Sequence, residues 1–74
     1  MEYEFIREIF NECSGNQMRD VFVQEIATND TDTYIKQFLV GADIQIEKSV
    51  LTDGSIIYDV VTDGMKQRFS FTPI

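Results

Sequence analysis

The first thirteen residues carry apolar side chains at helical spacing. These positions recur three and four residues apart and would form one stripe on a helix. They are Tyr3, Ile6, Ile9, Phe10 and Cys13. Ser14 and Gly15 follow directly, and a glycine is favoured just past a helix terminus. The pattern therefore predicts a first helix over residues 2–13.

The next two elements are predicted from composition and capping residues. Residues 19–27 hold a short β-branched and aromatic run (Val21, Phe22, Val23), which predicts a strand. Residues 29–33 are rich in residues that begin helices, which predicts a second helix from about Thr31 to Val40, ended by Gly41. The buried face of this helix would consist of Tyr34, Ile35, Phe38 and Leu39.

From residue 43 onward the apolar period changes to two, which predicts strands with one buried face. Asp53-Gly54 and Asp63-Gly64 are strong hairpin signals, so the last thirty residues should form a three-stranded antiparallel meander. A three-residue first loop and a two-residue second turn give the register. Ile46 then faces Val60, Lys48 faces Tyr58, Val50 faces Ile56, Tyr58 faces Phe69, and Ile56 faces Phe71.

This register predicts two different sheet faces. The apolar face would consist of Ile44, Ile46, Val50, Ile56, Tyr58, Val60, Phe69 and Phe71. Lys48 also falls on that face, where its stem would cross the apolar surface or its charge would sit at the rim. The opposite face would carry a charge ladder of Glu47, Asp59 and Arg68, beside Ser49, Lys66 and Ser70.

The predicted fold class is α+β. One domain spans residues 1–74, in the order α-β-α-β-β-β. A four-stranded, mainly antiparallel sheet would end in the meander, with two helices on one face as a two-layer sandwich. A right-handed crossover through the second helix would leave the first strand parallel to either the second or the fourth strand.

Net charge limits the classes of partner, and cysteine content bears on the cellular location. Thirteen acidic and six basic residues give a net charge of −7, which disfavours direct binding to nucleic acid or to an anionic membrane. Apolar runs reach only three residues, as in Phe38-Leu39-Val40, so no membrane span is expected. A single cysteine and the lack of a secretory leader make a cytoplasmic location the expectation.

The residues for common catalytic and metal chemistry are missing. The chain contains no histidine and one cysteine, so we expect no enzyme activity, no metal site and no cofactor. Cys13 is interpreted as structural, because a helix C-terminus next to Glu12 would raise its pKa. Asp30 and Asp32 fit helix capping better than a calcium loop, which would need a glycine and a glutamate at later positions.

Two surfaces are candidates for binding a partner. Glu4, Glu8 and Glu12 would stack along one side of the first helix, either as a solvated face or as a contact strip for a basic protein. The outer sheet face would expose Ile57 and Val61, together with Leu51 and whichever of Val21, Phe22 and Val23 faces away from the core. This apolar area is either ordinary exposed surface or an interface, for example a homodimer through sheet faces or edges.

The leading hypothesis is a small, non-enzymatic protein-interaction or regulatory domain. Its partner-binding residues would be Glu4, Glu8, Glu12, Ile57, Asp59, Val61 and Arg68. An alternative is an acidic mimic of nucleic acid that inhibits a nucleic-acid-binding protein. A third alternative is a small-molecule binding domain, for which a domain of this size has little volume to spare.

Overall fold

The computed structural model describes residues 1–13, 16–39, 41, 43–62 and 64–74, with only the backbone described at 11–13 and 16–19. Five strands and one helix occur in this part of the chain. They are β1 (Glu2–Cys13), β2 (Asn16–Ala27), α1 (Thr31–Lys36), β3 (Ile44–Val50), β4 (Ile56–Thr62) and β5 (Met65–Pro73). The strands form one sheet in the order β2-β1-β5-β4-β3, and every neighbouring pair is antiparallel.

The predicted fold class is wrong. The described elements run β-β-α-β-β-β, with a five-stranded antiparallel sheet and one short helix in place of four strands and two helices. The predicted parallel crossover is also wrong. The segment 19–27 does lie in a strand, but β2 pairs with β1 at one sheet edge, and α1 connects it to β3 at the opposite edge.

Residues 2–13 form strand β1 because their side chains also alternate with period two. Tyr3 and Phe5 are buried on the face that α1 covers, whereas Glu2 and Glu4 are exposed on the other face. Phe5 lies outside the predicted helical stripe, yet it occupies the centre of the core. The predicted stop at Ser14 and Gly15 lies outside the described residues.

The second predicted helix, α1, begins at the expected residue and ends earlier than predicted. Asp30 is its N-cap, where its Oδ1 accepts a hydrogen bond from the Thr33 N–H at 3.2 Å. The helix ends at Lys36 rather than Val40, because the N–H groups of Phe38 and Leu39 bond three residues back, to Ile35 and Lys36. Gly41 is therefore not the residue that ends it, and Val40 is outside the described residues.

The meander and its register are confirmed at each predicted pair that the structure describes. Ile46 lies opposite Val60, Lys48 opposite Tyr58, Val50 opposite Ile56, Tyr58 opposite Phe69, and Ile56 opposite Phe71. The first loop has three residues, closed by a 2.8 Å bond from the Leu51 N–H to the Ser55 carbonyl, with Gly54 at φ +89°. Thr62 pairs with Met65 around the second turn, where Gly64 has φ +80° and Asp63 lies outside the described residues.

The core is a cluster of aromatic rings between the sheet and α1. Phe5 lies 5.0–6.1 Å, centroid to centroid, from the rings of Tyr34, Phe38, Phe69 and Phe71. The Arg7 guanidinium closes one side of the cluster, 4.7 Å from the Phe38 ring and within hydrogen-bond distance of Gln67 Oε1. Of the predicted buried helix face, Ile35 is fully buried, and Tyr34, Phe38 and Leu39 pack against the core.

The predicted apolar face lies on the side of the sheet that α1 covers, but only part of it is buried. Tyr58, Val60, Phe69 and Phe71 are buried there. Every residue of β3 is exposed, including Ile44, Ile46 and Val50. The reason is geometric: a six-residue helix is about 9 Å long and cannot cover five strands spaced at about 4.8 Å.

Phe5 and Phe10 distinguish strand β1 from the predicted helix. Phe5→Leu should lower the free energy of unfolding by on the order of 2 kcal/mol, because it removes four ring contacts in the core. Phe10→Leu, the same change at a half-buried position, should cost less than half as much. Urea unfolding followed by circular dichroism measures both; a larger cost at Phe10 would contradict strand β1.

Candidate partner-binding face

The sheet has one face that no described helix or strand covers. The only helix in the described part of the chain, α1, packs on the side of Phe5 and Tyr58. We call that side the inner face and the opposite side the outer face. The described side chains of the outer face include Glu4, Ile6, Glu8 and Phe10 from β1; Val21, Val23 and Glu25 from β2; Glu47 from β3; Ile57, Asp59 and Val61 from β4; and Lys66, Arg68 and Ser70 from β5.

A row of charged residues crosses the middle of the outer face. The strand register places Glu8 opposite Arg68, Arg68 opposite Asp59, and Asp59 opposite Glu47. The Arg68 Nε donates to Asp59 Oδ1 at 2.8 Å, and about half of each side chain remains exposed. The hydrogen bond to Asp59, with the charge of Glu8 adding to it, raises the pKa of Arg68. The cation is therefore held between carboxylates.

Apolar side chains flank this charged row on both sides. Ile6, Phe10, Ile57 and Val61 are half-buried against their sheet neighbours, and Val21 and Val23 are exposed. Ile6 lies opposite Val23 across the β1–β2 pair, so part of this apolar surface is continuous between strands. Single exposed apolar residues are common, whereas six on one open face, interleaved with charges, resemble the composition of a binding surface.

The structure brings together the described residues of the predicted site, although not as predicted. Glu4 and Glu8 lie on strand β1 and not on a helix, so the predicted acidic helix face is wrong. Their spacing of four residues keeps them on one side of a strand, the same side as Ile57, Asp59, Val61 and Arg68. Glu12 pairs with Gln17 in the backbone, and its side chain is outside the described part of the structure. The two predicted surfaces are thus one face.

Four apolar residues of this face lie outside the predicted partner-binding set. Ile6 and Phe10 were assigned to the core of a helix, and Val21 and Val23 were not assigned to a side. Period-two alternation was the available signal: Tyr3, Phe5 and Ile9 fall at odd positions and Glu2, Glu4 and Glu8 at even positions. Reading residues 2–10 with that period places Ile6 and Phe10 beside the glutamates.

A second constellation lies on the inner face, around Tyr58. The buried Tyr58 hydroxyl donates to Asp32 Oδ1 and accepts from the Thr31 hydroxyl at 2.6 Å. Lys48 Nζ lies 3.3 Å from Asp32 Oδ1 and 5.6 Å from the centre of the Tyr58 ring. Lys48 therefore crosses the apolar face with its stem and pairs its charge at the rim.

The hydrogen bonds of this cluster shift the pKa values of Asp32, Lys48 and Tyr58. The bond from Tyr58, followed by that from Lys48, lowers the pKa of Asp32. The hydrogen bond to Asp32 raises the pKa of Lys48. Burial, together with the hydrogen bond to Asp32, raises the pKa of Tyr58. At neutral pH the cluster is an ionised carboxylate that contacts both a neutral phenol and an ammonium group. This arrangement ties α1 to β3 and β4.

An open groove of about 540 Å³ lies beside the cluster. It is lined by Asp32, Ile35, Lys36, Leu39, Ile44, Ile46, Lys48 and Tyr58. The carboxylate of Asp32 and the hydroxyl of Tyr58 are already bonded to each other, so they are occupied in holding the fold. Tyr34 is not among the lining residues, because it packs on Phe5 and Phe71.

Removing the Tyr58 hydroxyl tests how much this cluster stabilises the fold. Tyr58→Phe should lower the free energy of unfolding by roughly 1–3 kcal/mol, because the buried Thr31 hydroxyl and the Asp32 carboxylate both lose a partner. Tyr3→Phe is the matched control, since the Tyr3 hydroxyl contacts only the Met1 sulfur among the bonds described, at 3.4 Å. Equal costs in urea unfolding would show that the cluster adds no specific stability.

The lowered pKa of Asp32 predicts an acid-dependent loss of stability. Because its folded pKa lies below the unfolded value of about 3.9, the stabilisation is fully present above that pH and is lost as the pH falls through the folded pKa. Asp32→Asn should therefore destabilise the protein at pH 7, and its difference from the native protein should shrink on acidification. Asp43→Asn serves as the control, and a pH-independent difference would contradict the linkage.

Comparisons with known proteins do not assign this face. No protein-family model matches the chain, and neither do the curated proteins or the solved structures with which it was compared. Within the described residues, no helix is long and apolar enough to cross a membrane, and no group of three or more histidine, cysteine or acidic side chains is placed to hold a metal ion.

Proposed function

We propose that this chain is a non-enzymatic protein-binding domain that docks its outer face on a basic, partly apolar surface of another protein. One observation carries the proposal: the outer face holds six apolar side chains, from Ile6 to Val61, that no element of the described chain covers. In the part of the chain that the structure describes, α1 covers one side of the sheet, and the other side is free to contact another protein.

The charges of the outer face support a basic partner. Its described side chains include six carboxylates, which are Glu2 and the five named above, and two cations. One of those cations, Arg68, is bonded to Asp59. An acidic surface accelerates encounter with a basic protein and selects against acidic ones. Burial of the apolar side chains between the charges then supplies affinity, since charged pairs at a rim contribute little.

The nucleic-acid-mimic alternative stays a prediction. A mimic needs carboxylates at regular, phosphate-like intervals, and Glu4 and Glu8 are four strand residues apart, roughly 13 Å. Apolar residues stand between the carboxylates, as Ile6 does between these two. This mixed pattern favours a protein surface, so the protein-binding function is the one proposed.

Matched charge reversals test the acidic part of the face. Glu47→Lys should weaken capture of the partner from a cell lysate by roughly fivefold at low salt, because it opposes a basic surface. Asp43→Lys changes the net charge equally just before β3 and should leave capture nearly unchanged. Quantitative mass spectrometry of the captured proteins measures both variants, and equal losses would remove the outer face as the acidic contact.

An isosteric pair tests the apolar part. Val61→Thr keeps the side-chain shape and replaces one methyl group with a hydroxyl on the outer face, so it should weaken the same capture at all salt concentrations. Val50→Thr makes the same change on the inner face of β3, at a residue that is 66% exposed, and should have no effect. Capture that responds to neither valine would contradict docking through apolar contacts.

A further inference from the structure

The edge strand β2 carries the second inference, which is independent of the partner proposed for the outer face. We propose that two copies of this chain pair their β2 strands antiparallel about a two-fold axis at Phe22, joining two five-stranded sheets into one of ten strands. The occupant of this edge is a second copy of the same chain.

The backbone of β2 has hydrogen-bonding groups that β1 does not use. The Thr28 N–H bonds to the Met1 carbonyl at 3.0 Å, which makes residues 1 and 28 a hydrogen-bonded pair. In an antiparallel ladder such pairs alternate, so the even-numbered residues of β2 bond to β1. The N–H and C=O groups of Val21, Val23 and Glu25 therefore point away from the sheet, ready to pair with another strand.

The centre of this edge has none of the features that usually protect edge strands. Val21, Phe22 and Val23 are consecutive, and their exposed fractions are 48%, 53% and 64%. Protected edges carry a lysine, a proline or a bulge at such positions, and the twelve-residue pairing of β2 with β1 is continuous. An edge of this length, with three exposed apolar residues in its middle, favours pairing with another strand.

The sequence of β2 is self-complementary in one register. With Phe22 on the two-fold axis, Val21 pairs with Val23 of the second copy, Asp20 pairs with Gln24, and the arginine at position 19 falls opposite Glu25. Moving the axis to Val21 sets Phe22 opposite Asp20, and moving it to Val23 sets Val21 opposite Glu25. Among these three registers, only the Phe22 register pairs apolar with apolar residues and opposite charges with each other.

The other edge strand does not share this property at its central register. In β3 the central residue is Glu47, and a two-fold axis there would set Glu47 against Glu47 and Ile46 against Lys48. Like charges directly opposite each other destabilise a strand pair. The self-association is therefore assigned to β2 and not to β3.

The two-fold axis has a consequence for the outer face. It runs perpendicular to the joined sheet, so the outer faces of both copies lie on the same side. Val21 and Val23 of both chains then meet at the centre of one continuous surface, with Ile6 adjacent in each copy. The dimer presents two identical binding faces side by side, which would suit a partner with two equivalent sites.

Hydrodynamic measurements on matched variants test the pairing. The native chain should form dimers at about 100 μM in sedimentation equilibrium, and Val21→Lys/Val23→Lys should raise the dissociation constant at least about tenfold by placing lysine opposite lysine. Val21→Glu/Val23→Lys should restore dimers, now weakened by salt, because each glutamate faces a lysine of the second copy. A native monomer, or a dimer indifferent to these changes, would overturn the proposal.

Cysteine trapping tests the register itself. In a Cys13→Ser background, Phe22→Cys should form a disulfide-linked dimer on mild oxidation, because the two residues 22 face each other with Cα atoms about 4.5 Å apart. Val21→Cys should not, since residues 21 of the two copies would be roughly 9 Å apart, beyond disulfide reach. Equal trapping at both positions would overturn the Phe22 register, and circular dichroism of each variant verifies the fold.

Discussion

The packing of one short helix on the aromatic rings of one sheet face is the constraint on which this structure depends. Phe5, from β1, touches Tyr34 and Phe38 of the helical segment and both phenylalanines of β5, so it joins three parts of the chain in one cluster. The Tyr58 hydroxyl fixes the other end of α1 through Thr31 and Asp32. Since the helix is short, the core is small and one-sided.

The meander could be predicted because its determinants are local. Gly54 and Gly64 adopt the positive φ that their turns require, and each turn sets the register of the strands beside it. Strand β1 could not be predicted as easily, because Tyr3 and Ile9 satisfy both the helical and the alternating period. Phe5 fits only the alternating period. It favours a strand through tertiary contacts, which a local sequence pattern does not contain.

The prediction grouped Glu4 and Glu8 correctly although it assigned them to a helix, and the reason is physical. A spacing of four residues is even, so Glu4 and Glu8 share one side of a strand as they would share one side of a helix. The prediction therefore placed them together on the wrong element. It could not place Val21 and Val23, because their side is fixed by the pairing of β2 with β1, which depends on β1 being a strand.

The one-sided core also explains why the surfaces proposed for binding occur together. A helix that crosses from the β2 edge to the β3 edge covers the middle strands of the inner face, and it leaves both edges and the whole outer face without cover. Most small domains reduce such exposure with charges. Here charges line the outer face around Arg68 and Asp59, whereas the middle of β2 keeps three apolar residues. That contrast separates a face suited to a basic partner from an edge suited to its own copy.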